Sequence, residues 1–421
     1  MSQRQREEYL TTLLGIPGWY VAGTDLRRRK GRSEAVLVLE REEAAYTCGG
    51  CGQVYPEARP WRVQELQHLL LWDHVTILRV QKHRVACPTC GLKAERLPWA
   101  APYARVTGKL AALVGELCKV LTNSAVALLL WLHPGTVKTL DKRALQAAQA
   151  ARPLDGITTL GIDEIAVGRG QTYWHLVHAL DGPRGPECLF VGEGRKEKDL
   201  RKFWRWFGKP RAHQITHAVM DMWKAFRRSF EAHCPAVVIL YDKFHVIRHL
   251  LEALNTVRKQ EFKRAGKSMK GLLCGKKFLL LSRYAHVRGK ARAALTQLLR
   301  VNRRLFKAHL LKESFGHLWA YRSKTWARKF FTRWVEQLKW SRLEPYQKFA
   351  RMVEKHLEGI LAYCDKPVSL GYIEGSNLKA RNIIRRAYGY RDKEYMKLKI
   401  IQGCSSLGVF RPWVYADNIP S

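Results

Sequence analysis

A change of hydrophobic period near residue 157 constrains the fold of this chain more than any other feature. From about Arg105 to Gln149 apolar residues recur at helical spacing; from Ile157 they alternate or run in short stretches, as strands do. ITTLGIDEIAV and TYWHLVHALDG, separated by a turn at Gly168-Arg169-Gly170, predict a hairpin, and ECLFVGEG a third strand. KDLRKFWRWF then predicts an amphipathic helix, THAVMDM a fourth strand, WKAFRRSFEAHC a helix and AVVILYDKF a fifth strand. Beyond Ile247 the strand pattern stops. The stretch to Asp365 is almost entirely helix-forming, and a last helical segment runs from Glu374 to Ile401.

Three antiparallel strands followed by alternating helix and strand is the order of a ribonuclease-H-like core. The expected fold is multidomain α/β: such a core with a large helical insertion, preceded by a zinc-binding module and a helix-turn-helix domain. The expected boundaries are 1–100 for the zinc module, 101–152 for the helix-turn-helix and 153–246 for the first part of the core. The insertion follows over 247–365, and 366–421 supplies a C-terminal helix and tail that complete the core. Arg152-Pro153-Leu154-Asp155-Gly156 reads as a linker by its turn residues.

Charge narrows the partners. Across 421 residues, 74 Lys and Arg stand against 36 Asp and Glu, a formal net charge of +38. Self-repulsion on that scale is relieved by a polyanion, which makes nucleic acid the leading partner. Residues 247–365 alone hold 28 Lys and Arg against 7 Glu and one Asp, an excess that points to phosphate binding. No apolar run approaches the ~18–20 residues that span a bilayer. The opening MSQRQREEYL lacks the apolar stretch of a secretory signal, so the expected compartment is the cytoplasm, with no membrane partner.

Four of the ten cysteines form two tight turns, Cys48-Gly-Gly-Cys51 and Cys87-Pro-Thr-Cys90. Each turn presents two thiolates to one tetrahedral ion, and two turns complete the shell of a structural Zn²⁺. The 35 residues between the turns require strands to bring them together. The other six cysteines are read as buried hydrophobes.

Ser124–Leu132, a turn at His133-Pro134-Gly135, and Thr136–Ala147 have the layout of a helix-turn-helix, with plain three-helix packing as the alternative. In the first reading Thr136, Lys138, Thr139, Lys142 and Arg143 contact DNA in the major groove.

Strand interiors are depleted in Asp, because burying an unpaired carboxylate costs several kcal/mol. Asp163 nonetheless sits within Leu160-Gly-Ile-Asp-Glu-Ile-Ala-Val167, and Asp221 ends Ala218-Val-Met-Asp221. Divalent ions at the ends of adjacent strands rationalise both, and oxygen ligands with a phosphate substrate favour Mg²⁺ or Mn²⁺. Glu374, opening the last helix, supplies a third carboxylate. Other readings stay open: Glu164 as the inward residue, Asp221 as a helix cap, Glu374 as a charge favoured by the helix dipole. Glu374, Asn377 and Arg381 recur at helical spacing, so Asn377 and Arg381 join the expected DNA contacts. Arg385, Arg386, Lys393 and Lys397 extend that basic track.

These residues resemble the ISL3-type insertion-sequence transposases of the DDE transposase superfamily. Gly161-Ile-Asp-Glu-Ile165 resembles the family's first-Asp strand, and Val219-Met-Asp-Met-Trp223 followed by Phe226 its second. Tyr241-Asp-Lys-Phe-His-Val246 resembles an Asp-x-x-His signature. Glu374-Gly-Ser-Asn377 running into Arg385-Arg-Ala-Tyr388-Gly-Tyr390 resembles the Glu-bearing helix. Asn302, Leu305, Ala308, Leu311-Lys-Glu313, Phe315 and Trp319 give the insertion the family's look.

The resemblance implies a metal-binding triad of Asp163, Asp221 and Glu374, with Asp242 and His245 lining or bracing it. It also implies recognition of terminal inverted repeats, Mg²⁺-dependent 3′-end cleavage and strand transfer, and a homodimer or larger oligomer on double-stranded element and target DNA in a bacterial cytoplasm. A non-catalytic DNA-binding regulator and a nuclease of the same fold are the rival expectations.

Overall fold

The structure is a computed structural model that describes residues 2–168, 172–366, 368, 371–387 and 389–411. Arg169 and Gly170 of the expected hairpin turn, Tyr388 of the C-terminal motif and the tail from 412 lie outside the described residues. The chain divides into two compact units, 1–152 with 407–421, and 153–406.

The first unit opens with helix α1 (Gln3–Leu14) and strands β1 (Trp19–Arg29), β2 (Arg32–Arg41), β3 (Tyr46–Thr47), β4 (Val54–Tyr55), β5 (Arg59–Gln67), β6 (Val75–Cys87) and β7 (Gly91–Ala94). Its main sheet runs β1-β2-β6-β5, with β7 on the end of β6. The β2–β6 pair is parallel and the rest antiparallel. Alternation in β2 and β6 turns Leu37, Leu39, Leu78 and Val80 onto Leu14, Trp19 and Leu66.

Helices α2 (Gly108–Val120), α3 (Asn123–Leu129) and α4 (Pro134–Ala150) follow. Thr107 and Thr122 cap α2 and α3 by accepting from Leu110 and Ala125 N–H, and Pro134 begins α4, where its missing N–H is no loss. Helix α3 is shorter than the sequence suggests. It stops at Leu129 because Trp131 takes a left-handed backbone (φ 53°), and the chain re-enters helix at Pro134. The three helices pack on Leu110, Val114, Val126 and Val137.

The second unit begins with strands β8 (Thr159–Ala166), β9 (Tyr173–Ala179) and β10 (Glu187–Glu193), then short helices α5 (Arg201–Phe207) and α6 (Lys209–Ala212). Strand β11 (His217–Met220), helix α7 (Lys224–His233) and strand β12 (Val238–Tyr241) complete the sheet elements. The order is β10-β9-β8-β11-β12; β8–β9 and β9–β10 are antiparallel, β8–β11 and β11–β12 parallel.

Period-two alternation gives the sheet two apolar faces. Leu160, Ile162, Ala218, Met220 and Tyr241 join one core with Phe203, Phe207, Phe226 and Phe230. Ile165, Trp174, Leu176 and Val191 on the other face pack against two C-terminal helices through Ala380, Met396 and Ile400, with Val219 and Leu240 beside Ala362.

Between β12 and those helices the described chain contains only helices: α8 (Lys243–Arg264), α9 (Lys267–Leu273), α10 (Lys277–Leu281), α11 (Gly289–Val301), α12 (Arg303–Phe315), α13 (Lys324–Glu336), α14 (Glu344–Lys355) and α15 (Leu357–Leu361). Their core is continuous with the first face of the sheet through Val246, Leu250, Phe315, Trp334 and Phe349. Trp334 Nε1 donates to Leu311 O at 3.1 Å and Tyr346 OH to Ala308 O at 2.6 Å, which satisfies the polar edges of these two buried rings. Asn302 caps α12 by accepting from Leu305 N–H and donates to Glu261 (3.0 Å), while Glu313 accepts from Tyr284 N–H. The motif residues singled out in this region therefore hold helices together. The chain ends in α16 (Gly371–Arg386) and α17 (Lys393–Gly403). Among the described residues no helix is long and apolar enough to cross a membrane.

Candidate functional site

Register places three aspartates in one row. Ile162 on β8 pairs with Met220 on β11, and Met220 with Tyr241 on β12. The residue after each of these is an aspartate: Asp163 within β8, and Asp221 and Asp242 immediately past the ends of β11 and β12. Strand alternation turns all three toward the α16 side, since Gly161, Val219 and Leu240, two residues earlier, pack there. Helix α16 approaches closely because position 161 is glycine: a Cβ there would lie 2.6 Å from Ile373 Cδ1.

The neighbouring carboxylates separate cleanly. Asp163 Oδ1 accepts from Glu164 N–H at 2.8 Å and Oδ2 from Asn377 Nδ2 at 2.5 Å. Glu164 points to the opposite face and pairs with Arg195 at 3.2 Å. Asp163, not Glu164, is thus the residue turned to the helix. Asp221 Oδ1 accepts from Met222 N–H at 2.6 Å, and α7 has Trp223 at its N-cap with no side-chain cap bond, so Asp221 is not spent on that helix. Asp242 does cap α8, accepting from Phe244 N–H at 2.6 Å.

His245 sits between two of these acids, with Nδ1 2.9 Å from Asp242 Oδ2 and Nε2 3.8 Å from Asp221 Oδ2. Burial alone would lower its pKa, but the Asp242 hydrogen bond and the charges of Asp221, Asp242 and Asp163 hold it above the ordinary histidine value. Burial pushes the Asp163 carboxyl up and the Asp242 charge adds to that. The Glu164 N–H, His245 and Asn377 act in the other direction. The row is an acidic cluster partly withdrawn from water, whose negative charge a cation would stabilise.

Glu374 lies in the first turn of α16, one turn before Asn377, and is exposed with no hydrogen-bond or ion-pair partner among the described residues. Asn377, expected on the DNA track, belongs to the buried stripe of α16 with Ile373, Ser376 and Ala380, and its Oδ1 has no partner. Arg381, Arg385 and Arg386 are exposed beyond it. Lys393 and Lys397 instead pair with Glu193, at 3.1 and 3.0 Å, and dock α17 on β10. In the first unit Thr139 and Arg143 are exposed on α4, and Thr136, Lys138 and Lys142 are half-buried.

The four cysteines form the second site. Cys48 and Cys51 occupy the turn between β3 and β4, and Cys87 and Cys90 the turn between β6 and β7. Their four sulfurs all lie within 4.8 Å of one another; among the described residues this is the one group of three or more metal-ligating side chains that close together. Both glycines of Cys-Gly-Gly-Cys are needed for the approach. A Cβ on Gly50 would sit 2.8 Å from Cys90 Sγ, and one on Gly49 would strike Ala94 O. Backbone N–H groups of Gly50 and Cys90 point at Cys48 and Cys87 Sγ, each at 3.4 Å. The Tyr55 hydroxyl, 3.2 Å from Cys87 Sγ, brings that thiol down to about 6, while loss of hydration drives Cys90 up to about 12. Four converging soft donors fit a closed tetrahedral zinc site and leave no position for substrate.

The profile of the ISL3-type DDE transposases, described as "Transposase", matches residues 160–400, the segment that carries the aspartate row and α16. The chain is 31% identical over 395 residues to the "Transposase for insertion sequence element IS1001" of Bordetella parapertussis, covering 93% of this chain and 96% of that one. It is 26% identical over 390 residues to the "Transposase for insertion sequence element IS1557" of Mycobacterium tuberculosis, covering 85% of each chain. With more than half its length inside the family profile and a full-length relative of that name, the chain belongs to the ISL3 family of insertion-sequence transposases.

Proposed function

We propose that this chain cuts and joins DNA at the ends of an insertion sequence, using Asp163, Asp221 and Glu374 as the metal-binding triad. The observation that carries the reading is the row of aspartates on adjacent strands, facing the helix that bears Glu374. The five-stranded sheet is read as a ribonuclease-H-like core made of 153–246 and 366–406, with 247–365 as its helical insertion; residues 407–411 of the expected tail group with the first unit instead. Residues 1–100 are read as a zinc module and 101–152 as a helix-turn-helix, supported by the cysteine cluster and by the capped α3 and α4.

Hard oxygen donors beside a phosphate substrate suit Mg²⁺ or Mn²⁺, and four thiolates suit structural Zn²⁺. When bound, the divalent ions supply charge stabilisation at the attacking and leaving oxygens of an in-line phosphoryl transfer. Asp163 and Asp221 provide fixed oxygens, each oriented by the N–H of the residue after it. Asn377 holds the second oxygen of Asp163, His245 braces Asp221 against Asp242, and Glu374 closes the site from α16. Arg381, Arg385 and Arg386 hold strand phosphates next to it. Thr136, Lys138, Thr139, Lys142 and Arg143 read the element end in the major groove. Terminal inverted repeats and target DNA are the partners, a homodimer or larger assembly holds two ends together, and the work is cytoplasmic.

A strand-transfer assay with a pre-cut element end tests the reading. Wild-type protein joins the 3′-hydroxyl to target DNA in Mg²⁺ or Mn²⁺, and Asp163→Asn and Glu374→Gln bind the end without joining it. Joining at the wild-type rate by both variants removes the triad, binding without joining by the wild type would leave a regulator, and cutting without joining a nuclease.

A further inference from the structure

Two exposed aromatic rings lie two residues beyond carboxylates of the row. Asp221 is followed two residues later by Trp223, and Asp242 by Phe244, from strands in matching register. Trp223 is 43% and Phe244 53% exposed. Singly exposed aromatics are ordinary on any surface. Trp223 differs in how it is fixed. Its Nε1 donates to Arg195 O at 3.0 Å, and the Arg195 guanidinium lies over its ring, 4.7 Å from the centroid. Arg195 is itself pinned by Glu164 at 3.2 Å and stacked over Tyr173 at 4.3 Å. The indole is therefore held by its edge and one face, while close to half its surface stays open. Phe244 is held by its backbone N–H on Asp242 and stands edge-on to His245, with centroids 5.7 Å apart.

On the proposed reading, divalent ions and the α16 arginines engage the phosphates of the strand, and neither gives its bases anything to rest on. Base stacking attracts without requiring opposite charge, and every base has a face to offer. A pre-fixed indole also loses little rotamer freedom on binding.

We propose that Trp223, backed by Arg195 and joined by Phe244, is a stacking platform for unpaired bases of the DNA strand drawn to the carboxylate rim. This rests on the reading of the chain as a DNA-cutting enzyme and adds the substrate feature recognised there, an unstacked base beside the reacting phosphate.

The test measures binding in metal-free buffer and does not depend on cleavage. Affinities are compared for a short oligothymidylate and an abasic deoxyribose-phosphate chain of equal length, at low and high salt. Wild type prefers the base-bearing chain, and the ratio is nearly insensitive to salt because both chains carry the same phosphates. Trp223→Ala lowers that ratio roughly tenfold, the effect of losing one stacked base. Trp223→Phe keeps most of it, and so does Trp340→Ala, which removes an 89% exposed indole elsewhere. An unchanged ratio in Trp223→Ala overturns the proposal, as does a Trp223→Phe variant, folded by circular dichroism, that loses as much as Trp223→Ala. Either failure leaves the strand-transfer assay of the triad unaffected, and failure of the triad leaves this ratio unaffected.

Discussion

The cysteine cluster and the aspartate row are built on opposite plans. The four sulfurs come from two hairpin turns and are already within 4.8 Å of one another. Only local turns and one strand register have to be right for that site to exist. The aspartates come from three strands or their ends, share their surroundings with a histidine, and look toward a helix that begins at Gly371, whose Glu374 is exposed. One site is completed by the fold. The other is an open rim, as expected of a site that must admit a substrate. On the proposed reading, the closed soft site serves stability and the open hard site serves chemistry.

The largest expected effect breaks the first half of that contrast. Structural zinc in small modules contributes an apparent ~10–16 kcal/mol. Cys48→Ser or Cys87→Ser should abolish zinc retention, read by metal analysis, and eliminate the melting transition of the N-terminal unit. A variant that keeps both would show that the cluster is not a structural metal site.

The rim should behave the other way. Asp163→Asn should slow metal-dependent DNA cleavage at least a hundredfold, about 3 kcal/mol in the barrier. Thermal stability should be equal or higher, because burial disfavours the charged form of Asp163 in the folded chain. A variant that loses its melting transition along with activity would make Asp163 a structural residue and erase the distinction.

Acid sharpens the comparison within the first unit. His68 is buried against Thr107 (2.7 Å) and burial depresses its pKa to about 4. The unfolded chain takes up that proton near the ordinary value of 6.5, while the folded chain refuses it until about 4. The resulting stability is fully present above 6.5 and is lost as pH falls toward 4, by about 3 kcal/mol. Chemical denaturation across that window should show the slope, and His68→Gln should flatten it. A slope unchanged in the variant assigns the acid sensitivity to the thiolates instead.

The smallest effect concerns the distance between helix and sheet. Gly161→Ala places a methyl 2.6 Å from Ile373 Cδ1 and should cost ~1–3 kcal/mol of stability. It should also reduce cleavage by moving α16, and Ile373→Val should restore part of both. Loss of stability with full activity would mean that the position of α16 is not critical to the rim.

Much of this could be read from the chain. The strands are legible because short apolar runs bounded by turn residues mark strands covered on both faces, and Cys-x-x-Cys with small neighbours has few physical uses. Asp163 and Asp221 stood out because Asp is rare in such runs. Other features were hidden for specific reasons. Helical spacing put Glu374, Asn377 and Arg381 on one face, but the buried stripe at Ile373, Ser376, Asn377 and Ala380 takes Asn377 away from that face. Only the contact with Asp163 reveals which way an amide turns. Lys393 and Lys397 read as a basic track, yet Glu193, some 200 positions earlier, accepts both. The same holds for Asn302 and Glu313, whose cap and hydrogen bonds join helices distant in sequence. In sequence Trp223 is one residue of a motif; its fixing by Arg195 depends on a turn beyond β10 that no local pattern discloses.

The most direct test of the central claim locates the metal physically. Fe²⁺ substituted for Mg²⁺ on the DNA-bound protein, with ascorbate and peroxide, cleaves the backbone where the ion sits. The account predicts cuts beside residues 163, 221 and 242, a further cut near 374, and loss of all of them in Asp163→Asn. Cuts confined to other parts of the chain, with none near 163 or 221, would contradict it.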